Sequence, residues 1–166
     1  MRLFGVVGWK NSGKTTLVAR LVTELKSRGF SVSTVKHAHH SFDLDQPGRD
    51  SYKHREAGAH EVVISSGNRW ALMHELQGED EYKLDDLLAK MSPVDIVIIE
   101  GFKREPHVKI ECHRATSEMP LVSSANKTIV AVASDVDVDT GELTSLDLND
   151  VKVIADFVLT KTGLDG

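Results

Sequence analysis

The sequence predicts an α/β fold, a mainly parallel sheet with flanking helices and some additional antiparallel strands. Three observations carry that expectation. Leu3-Phe4-Gly5-Val6-Val7 is an almost unbroken apolar run, and Asp95-Ile96-Val97-Ile98-Ile99-Glu100 is a second, stronger one. Between and after them, apolar residues recur at helical spacing. Strands apolar on both faces belong to a sheet covered by helices on both sides, whereas a half-solvated sheet would alternate.

The elements follow in order. Leu3 to Val7 is strand 1 and ends at glycine. Leu17, Val18, Leu21, Val22 and Leu25 mark one helix face from about Lys14 to Arg28, with Gly29 placed to stop it in the left-handed conformation. Phe30 to Val35 alternates apolar and small polar residues and is rich in β-branched side chains, so it predicts a second strand. Residues 37–50 show no sustained period and predict a long surface loop, a kind that is usually functional or mobile. Asp50 or Ser51 caps a short helix through Ala57, and Glu61 to Ser65 and Arg69 to Leu76 read as strands. Leu84, Leu87, Leu88 and Met91 predict a helix ending at Ser92-Pro93, and the run before Glu100 is the next strand. Val108 to Cys112 and Thr128 to Ala133 are two more. Val151, Ile154, Ala155, Val158 and Leu159 share one face of a terminal helix that Asp147 or Asn149 would cap. No repeat, low-complexity tract or linker divides the chain, so residues 1–166 are expected to form one domain.

Bulk properties narrow the function classes. The 166 residues, 40% hydrophobic, suffice for one core. A net charge of −5 argues against a general nucleic-acid binder, whose affinity comes from Lys and Arg neutralising phosphates. Any anionic ligand must therefore be held by a local basic cluster. The single cysteine, Cys112, has no internal partner for a disulfide, no run reaches the roughly 18 apolar residues of a membrane span, and strand 1 leaves no room for a signal peptide. A soluble cytoplasmic protein is expected.

Gly8-Trp9-Lys10-Asn11-Ser12-Gly13-Lys14-Thr15, followed by Thr16, fits G-x-x-x-x-G-K-[ST] between a predicted strand and a predicted helix, the context this motif requires. Its glycines let the backbone curl so that successive N–H groups converge on a phosphate, helped by the positive end of the helix dipole. Lys14 would reach the outer phosphates and the Thr15 hydroxyl would ligate Mg²⁺. A nucleoside triphosphate and a P-loop NTPase architecture are the expectation. Glu100 ends the strongest strand, where an acidic group can orient a metal-bound or attacking water, and Gly101 would let the backbone approach the γ-phosphate. Asp is the usual residue there, so the longer Glu100 could act through water. Asp135, after the late strand, could pair with N1–H and the 2-amino group of guanine, although the N-K-x-D signature is absent and an aspartate here is equally a turn former.

His37, His39 and His40 open the loop, with Asp43, Asp45, Arg49, Asp50, Lys53, His54 and Arg55 after them. They could bind a transition metal, form a basic cradle for a second anionic ligand, or help hold Mg²⁺ through Asp43 or Asp45. Lys10, Lys36, Lys103, Arg104 and the loop cations would give an acidic protein a basic mouth.

The stretches GWKNSGKTTL, KHAHHSFDLDQPGRDSYKHREAGA, RWALMHEL and IIEGFKREPHVKIE together resemble the molybdopterin-guanine dinucleotide biosynthesis protein B family, over most of the chain to about Asp135. The resemblance implies a GTP-binding, weakly GTP-hydrolysing accessory protein that assists attachment of GMP to molybdopterin. Its implied partner is the guanylyltransferase of the pathway, the A protein, with molybdopterin itself as a possible ligand. It further implies a homodimer in which the RWALMHEL strand extends a sheet across the interface. By matching position, Gly8, Gly13, Lys14, Thr15 and Thr16 would bind phosphate and Mg²⁺, and Glu100 would sit at the metal or water. Asp43, Asp45 and Asp50 match the family's loop without separate roles. Two other functions remain open from the residues: a nucleotide-gated metallochaperone using His37, His39 and His40, and a small-molecule kinase using Arg49 or Arg55 over the phosphates.

Overall fold

In a computed structural model of the chain, which describes residues 1–38 and 42–165, the opening apolar run forms β1 (Arg2–Val7) at the centre of a six-stranded sheet. The other strands are β2 (Val32–Lys36), β5 (Ile96–Glu100), β6 (Lys109–His113), β7 (Ile129–Ser134) and β8 (Thr144–Asp147). Their order is β2-β5-β1-β6-β7-β8, and every neighbouring pair is parallel. The apolar run before Glu100 therefore lies directly beside β1, paired Phe4 to Ile98 and Val6 to Glu100. Covered on both faces, β5 has no exposed residue, the physical reason its sequence lacks polar alternation.

Helix α1 (Lys14–Ser27) buries Leu17, Val18, Leu21 and Leu25, and α4 (Val151–Thr162) buries Ile154, Ala155, Val158 and Leu159. Both faces join one core with Phe4, Val6, Ile96, Ile98, Ile110 and Ala133. Each such large aliphatic side chain contributes about 2 kcal/mol of transfer free energy. Asp150 caps α4, its Oδ1 accepting from Val153 N–H at 3.1 Å. The expected caps, Asp147 and Asn149, are not used. Asp147 closes β8, and its Oδ1 accepts instead from Asn149 N–H at 2.8 Å. Strand β8 itself was not expected, because Thr144-Ser145-Leu146-Asp147 carries one apolar residue and no alternation.

The chain forms two compact units, one of residues 1–37 and 91–166, the other of residues 38–90. The second contains α2 (Asp50–Glu56), the antiparallel pair β3 (Glu61–Ser65) and β4 (Trp70–His74), and α3 (Leu84–Ala89). The hairpin has Val63 opposite Leu72 and Ser65 opposite Trp70, so Val63, Leu72 and Trp70 share a face, and all three are exposed. Among the described residues no helix is long and apolar enough to cross a membrane.

Candidate functional site

Beyond the carboxyl end of β1 the chain turns through residues 8–13 into α1. Gly8 and Gly13 have φ of 145° and 93°, and Asn11, at φ 63°, adopts the same left-handed region. A side chain at Gly8 would meet the Cys112 carbonyl at 2.4 Å and Ser12 Oγ at 2.5 Å. Glycine is thus required for close approach as well as for conformation. No side chain caps the start of α1 and its first turn carries no acid, so the helix offers uncapped amide donors and an uncompensated positive dipole end to an anion. Ser12 Oγ is buried and has no hydrogen-bond partner among the described residues, a polar atom that a ligand oxygen would satisfy.

Asn11, Ser12, Gly13, Lys14, Thr15 and Thr16 line a cleft of about 480 Å³ together with Arg114 and Thr116. Lys14 Nζ donates to the Trp9 carbonyl across the turn at 2.6 Å. Burial pushes the Lys14 ammonium below its ordinary pKa, against the raising effect of Cys112 and Glu100. A bound polyphosphate would supply the missing negative charge.

Glu100 lies against Thr15. Thr15 Oγ1 donates to Glu100 Oε1 at 2.9 Å, and Lys36 Nζ lies 3.2 Å from that same oxygen. The pairing of β1 with β5 makes this possible, because it sets Glu100 level with Val6, just before the phosphate turn. Glu100 is 7% exposed, so it is a held carboxylate and not a solvated strand end. Thr15 and Glu100 are the oxygen donors that fit a hard divalent cation. Gly101 (φ 93°) continues from Glu100 with its N–H on the Val6 carbonyl at 3.1 Å, and a Cβ there would press on His37 at 3.1 Å.

Arg114 and Thr116 were not anticipated. Arg114 follows β6, and its Nε would lie 2.8 Å from a Cβ on Gly13. Asp135 Oδ1 accepts from Ala115 N–H at 2.9 Å, and its Oδ2 is 3.9 Å from Arg114 Nη1, so Asp135 anchors the loop that carries Arg114 into the cleft. Lys103 Nζ sits 4.3 Å above the Trp9 ring, a cation–π contact on the outside of the phosphate turn. The loop bearing Lys103 is pinned by buried Lys109, whose Nζ donates to the carbonyls of Glu105 and His107 and to Thr128 Oγ1. Lys10 is exposed on the turn itself.

Asp45 belongs to the second unit. Its Oδ1 accepts from Ser51 Oγ at 3.0 Å and from Gln46 N–H at 2.9 Å, while Oδ2 is buried without a hydrogen bond. Arg55, counted toward a basic mouth and a kinase lid, is held by Asp43 at 2.7 Å and Glu75 at 2.6 Å, and Lys53 lies 3.3 Å from Asp50. Of the expected histidine cluster, His37 packs tilted against Phe102 with centroids 4.7 Å apart, and His39 and His40 lie outside the described residues.

A parallel sheet with β1 flanked by β5 and β6, a glycine-gated turn into α1, and an acid on the neighbouring strand touching the turn's threonine define a P-loop NTPase architecture. Residues 3–135 match the family of molybdopterin guanine dinucleotide synthesis protein B, and the chain belongs to that family. It is 40% identical over 160 residues to the molybdopterin-guanine dinucleotide biosynthesis adapter protein of Escherichia coli, covering 95% of this chain and 91% of the relative. The adapter protein of Haemophilus influenzae is 38% identical, with 94% and 86% covered. Among solved structures, a crystal structure of molybdopterin-guanine biosynthesis protein B superposes with a TM-score of 0.74 at 30% identity, covering 95% of this chain and 98% of the other.

Proposed function

We propose that this chain is a GTP-binding adapter in the cytoplasm that assists attachment of GMP to molybdopterin, working with the pathway's guanylyltransferase. The observation that carries the nucleotide reading is the uncapped α1 start, with Lys14 and Thr15 lining one cleft and Glu100 hydrogen-bonded to Thr15. In it the amides of residues 13–16 and Lys14 hold the β- and γ-phosphates, Thr15 and Glu100 hold Mg²⁺, and Arg114 adds positive charge. Mg²⁺ supplies charge neutralisation on the phosphates. The residues themselves bind, orient and desolvate. The pathway reading rests on the family and on the 40% identity to a named adapter.

Asp135 is the proposed reader of guanine. Titration calorimetry with Mg²⁺ should give one GTP per chain and binding of ATP about tenfold or more weaker, a difference of roughly 1.4 kcal/mol. Asn at 135 keeps an oxygen for Ala115 N–H but replaces an acceptor by a donor, so Asp135→Asn should move preference from GTP toward XTP. An unchanged preference removes Asp135 from the base site; no binding of either nucleotide removes the function. Adding the guanylyltransferase should give a complex detectable in the same titration.

The exposed face of Val63, Leu72 and Trp70 on a two-stranded hairpin supports the homodimer, since isolated hairpins are marginal and such faces are normally covered. Sedimentation of the wild type should give a dimer, and Leu72→Lys with Trp70→Lys should give monomers that still bind GTP. A monomeric wild type would end this part of the proposal.

A further inference from the structure

The second unit carries a group of side chains that the nucleotide reading does not use. His60 precedes β3, His74 ends β4, and Glu79 follows the turn after it. One ligand atom from each of the three lies within 4.8 Å of the others. His60 Nε2 is 3.5 Å from Glu79 Oε1, and His74 Nε2 is 3.4 Å from Glu79 Oε2. The imidazole rings meet edge to face at 4.5 Å. Around a tetrahedral ion with bonds of about 2.0–2.1 Å, neighbouring donor atoms stand roughly 3.4 Å apart. Each imidazole is at about that distance from one oxygen of Glu79, His60 from Oε1 and His74 from Oε2, so the carboxylate needs only a small rotation, or bidentate binding, to serve both.

The surroundings fit the same reading. Glu61 is directly opposite His74 in the hairpin register and its Oε1 lies 2.8 Å from His74 Nδ1. When Nδ1–H donates to Glu61 Oε1, the Nε2 lone pair of neutral His74 faces Glu79, an arrangement that a cation between them would satisfy. A carboxylate on the outer nitrogen of a ligating histidine fixes its tautomer and raises its basicity. The backbone sets the frame: Glu75 N–H donates to the His60 carbonyl at 2.9 Å, tying the residue beside His74 to His60. Tyr82 packs edge-on against His74 at 5.5 Å.

We propose that His60, His74 and Glu79 bind one divalent transition-metal ion of the zinc class, with Glu61 as the outer carboxylate that positions His74. Two nitrogens and one carboxylate oxygen suit a borderline-soft ion better than Mg²⁺ or Ca²⁺, and three protein ligands leave a coordination position for water or a further ligand. By linking the residue before β3 to the end of β4 and the turn beyond, the ion would clamp the open end of the hairpin. The site needs no bound nucleotide.

The test uses the full chain, stripped with a chelator and free of affinity tags, titrated with zinc against a competing indicator in the absence of nucleotide. One zinc per chain is expected. Cobalt(II) should give the intense visible absorption of a low-symmetry, four- or five-coordinate centre. His60→Ala and His74→Ala should each lower affinity by more than 100-fold, and Glu61→Gln by about 10- to 100-fold, the range for an outer-carboxylate loss. The triple change His37→Ala, His39→Ala and His40→Ala should leave affinity unaltered. His60 and Glu79 are half exposed, and circular dichroism of each variant separates lost binding from lost fold. Absence of stoichiometric zinc would overturn the proposal, leaving these residues as an imidazolium between two carboxylates. So would binding that survives the His60→Ala, His74→Ala double change or disappears in the triple variant.

Discussion

Lys14→Ala is expected to lower affinity for GTP with Mg²⁺ by about 100-fold while leaving the thermal unfolding midpoint within a few degrees of the wild type. A hydrogen bond to a charged group contributes about 1.5–3 kcal/mol, which is roughly 10- to 150-fold in a binding constant. The upper part of that range applies because Lys14 is half withdrawn from water and its charge is poorly compensated until an anion arrives. The fold should tolerate the change, since the Lys14 hydrogen bond is to the Trp9 carbonyl of its own turn. Calorimetric titration measures the affinity and a melt monitored by circular dichroism measures the fold. An affinity within threefold of wild type would mean the triphosphate lies elsewhere.

Glu100→Gln is expected to separate binding from turnover. Glutamine preserves the shape and still accepts from Thr15 Oγ1, but it removes the charge that lies 3.2 Å from Lys36 and that would help hold a cation or orient water. Any single-turnover hydrolysis of GTP should fall by about 100-fold, the low end of what a positioned acid or base contributes. GTP affinity should change only a few-fold. Equal rates for variant and wild type would remove Glu100 from catalysis and leave it a structural partner of Thr15.

Local patterns were legible where one element decides them. The phosphate turn was readable because its glycines, lysine and threonines act through backbone conformation and a helix end, both properties of contiguous sequence. Strand β5 and the faces of α1 and α4 were readable because burial on a sheet or along a helix imposes a period. Strand β8 escaped because an edge strand with one apolar residue leaves no period, and the cap of α4 shifted to Asp150 once Asp147 was taken into β8. The division after residue 37 and before residue 91 coincides with the start of the aperiodic loop and with Ser92-Pro93, which read as a loop and a helix end and not as unit boundaries, because neither is a long polar linker.

The sequence alone therefore determined the fold class, the phosphate turn and the family resemblance, because each depends on residues close together in the chain. Only the tertiary structure decided which distant residues meet the phosphate turn and the start of α1. Strand order, a consequence of sheet assembly, puts β5 and β6 on either side of β1, and so brings Glu100 onto Thr15 and Arg114 against Gly13. The same holds for His60, His74 and Glu79, separated by 14 and 5 residues and gathered by one hairpin register and the turn after it.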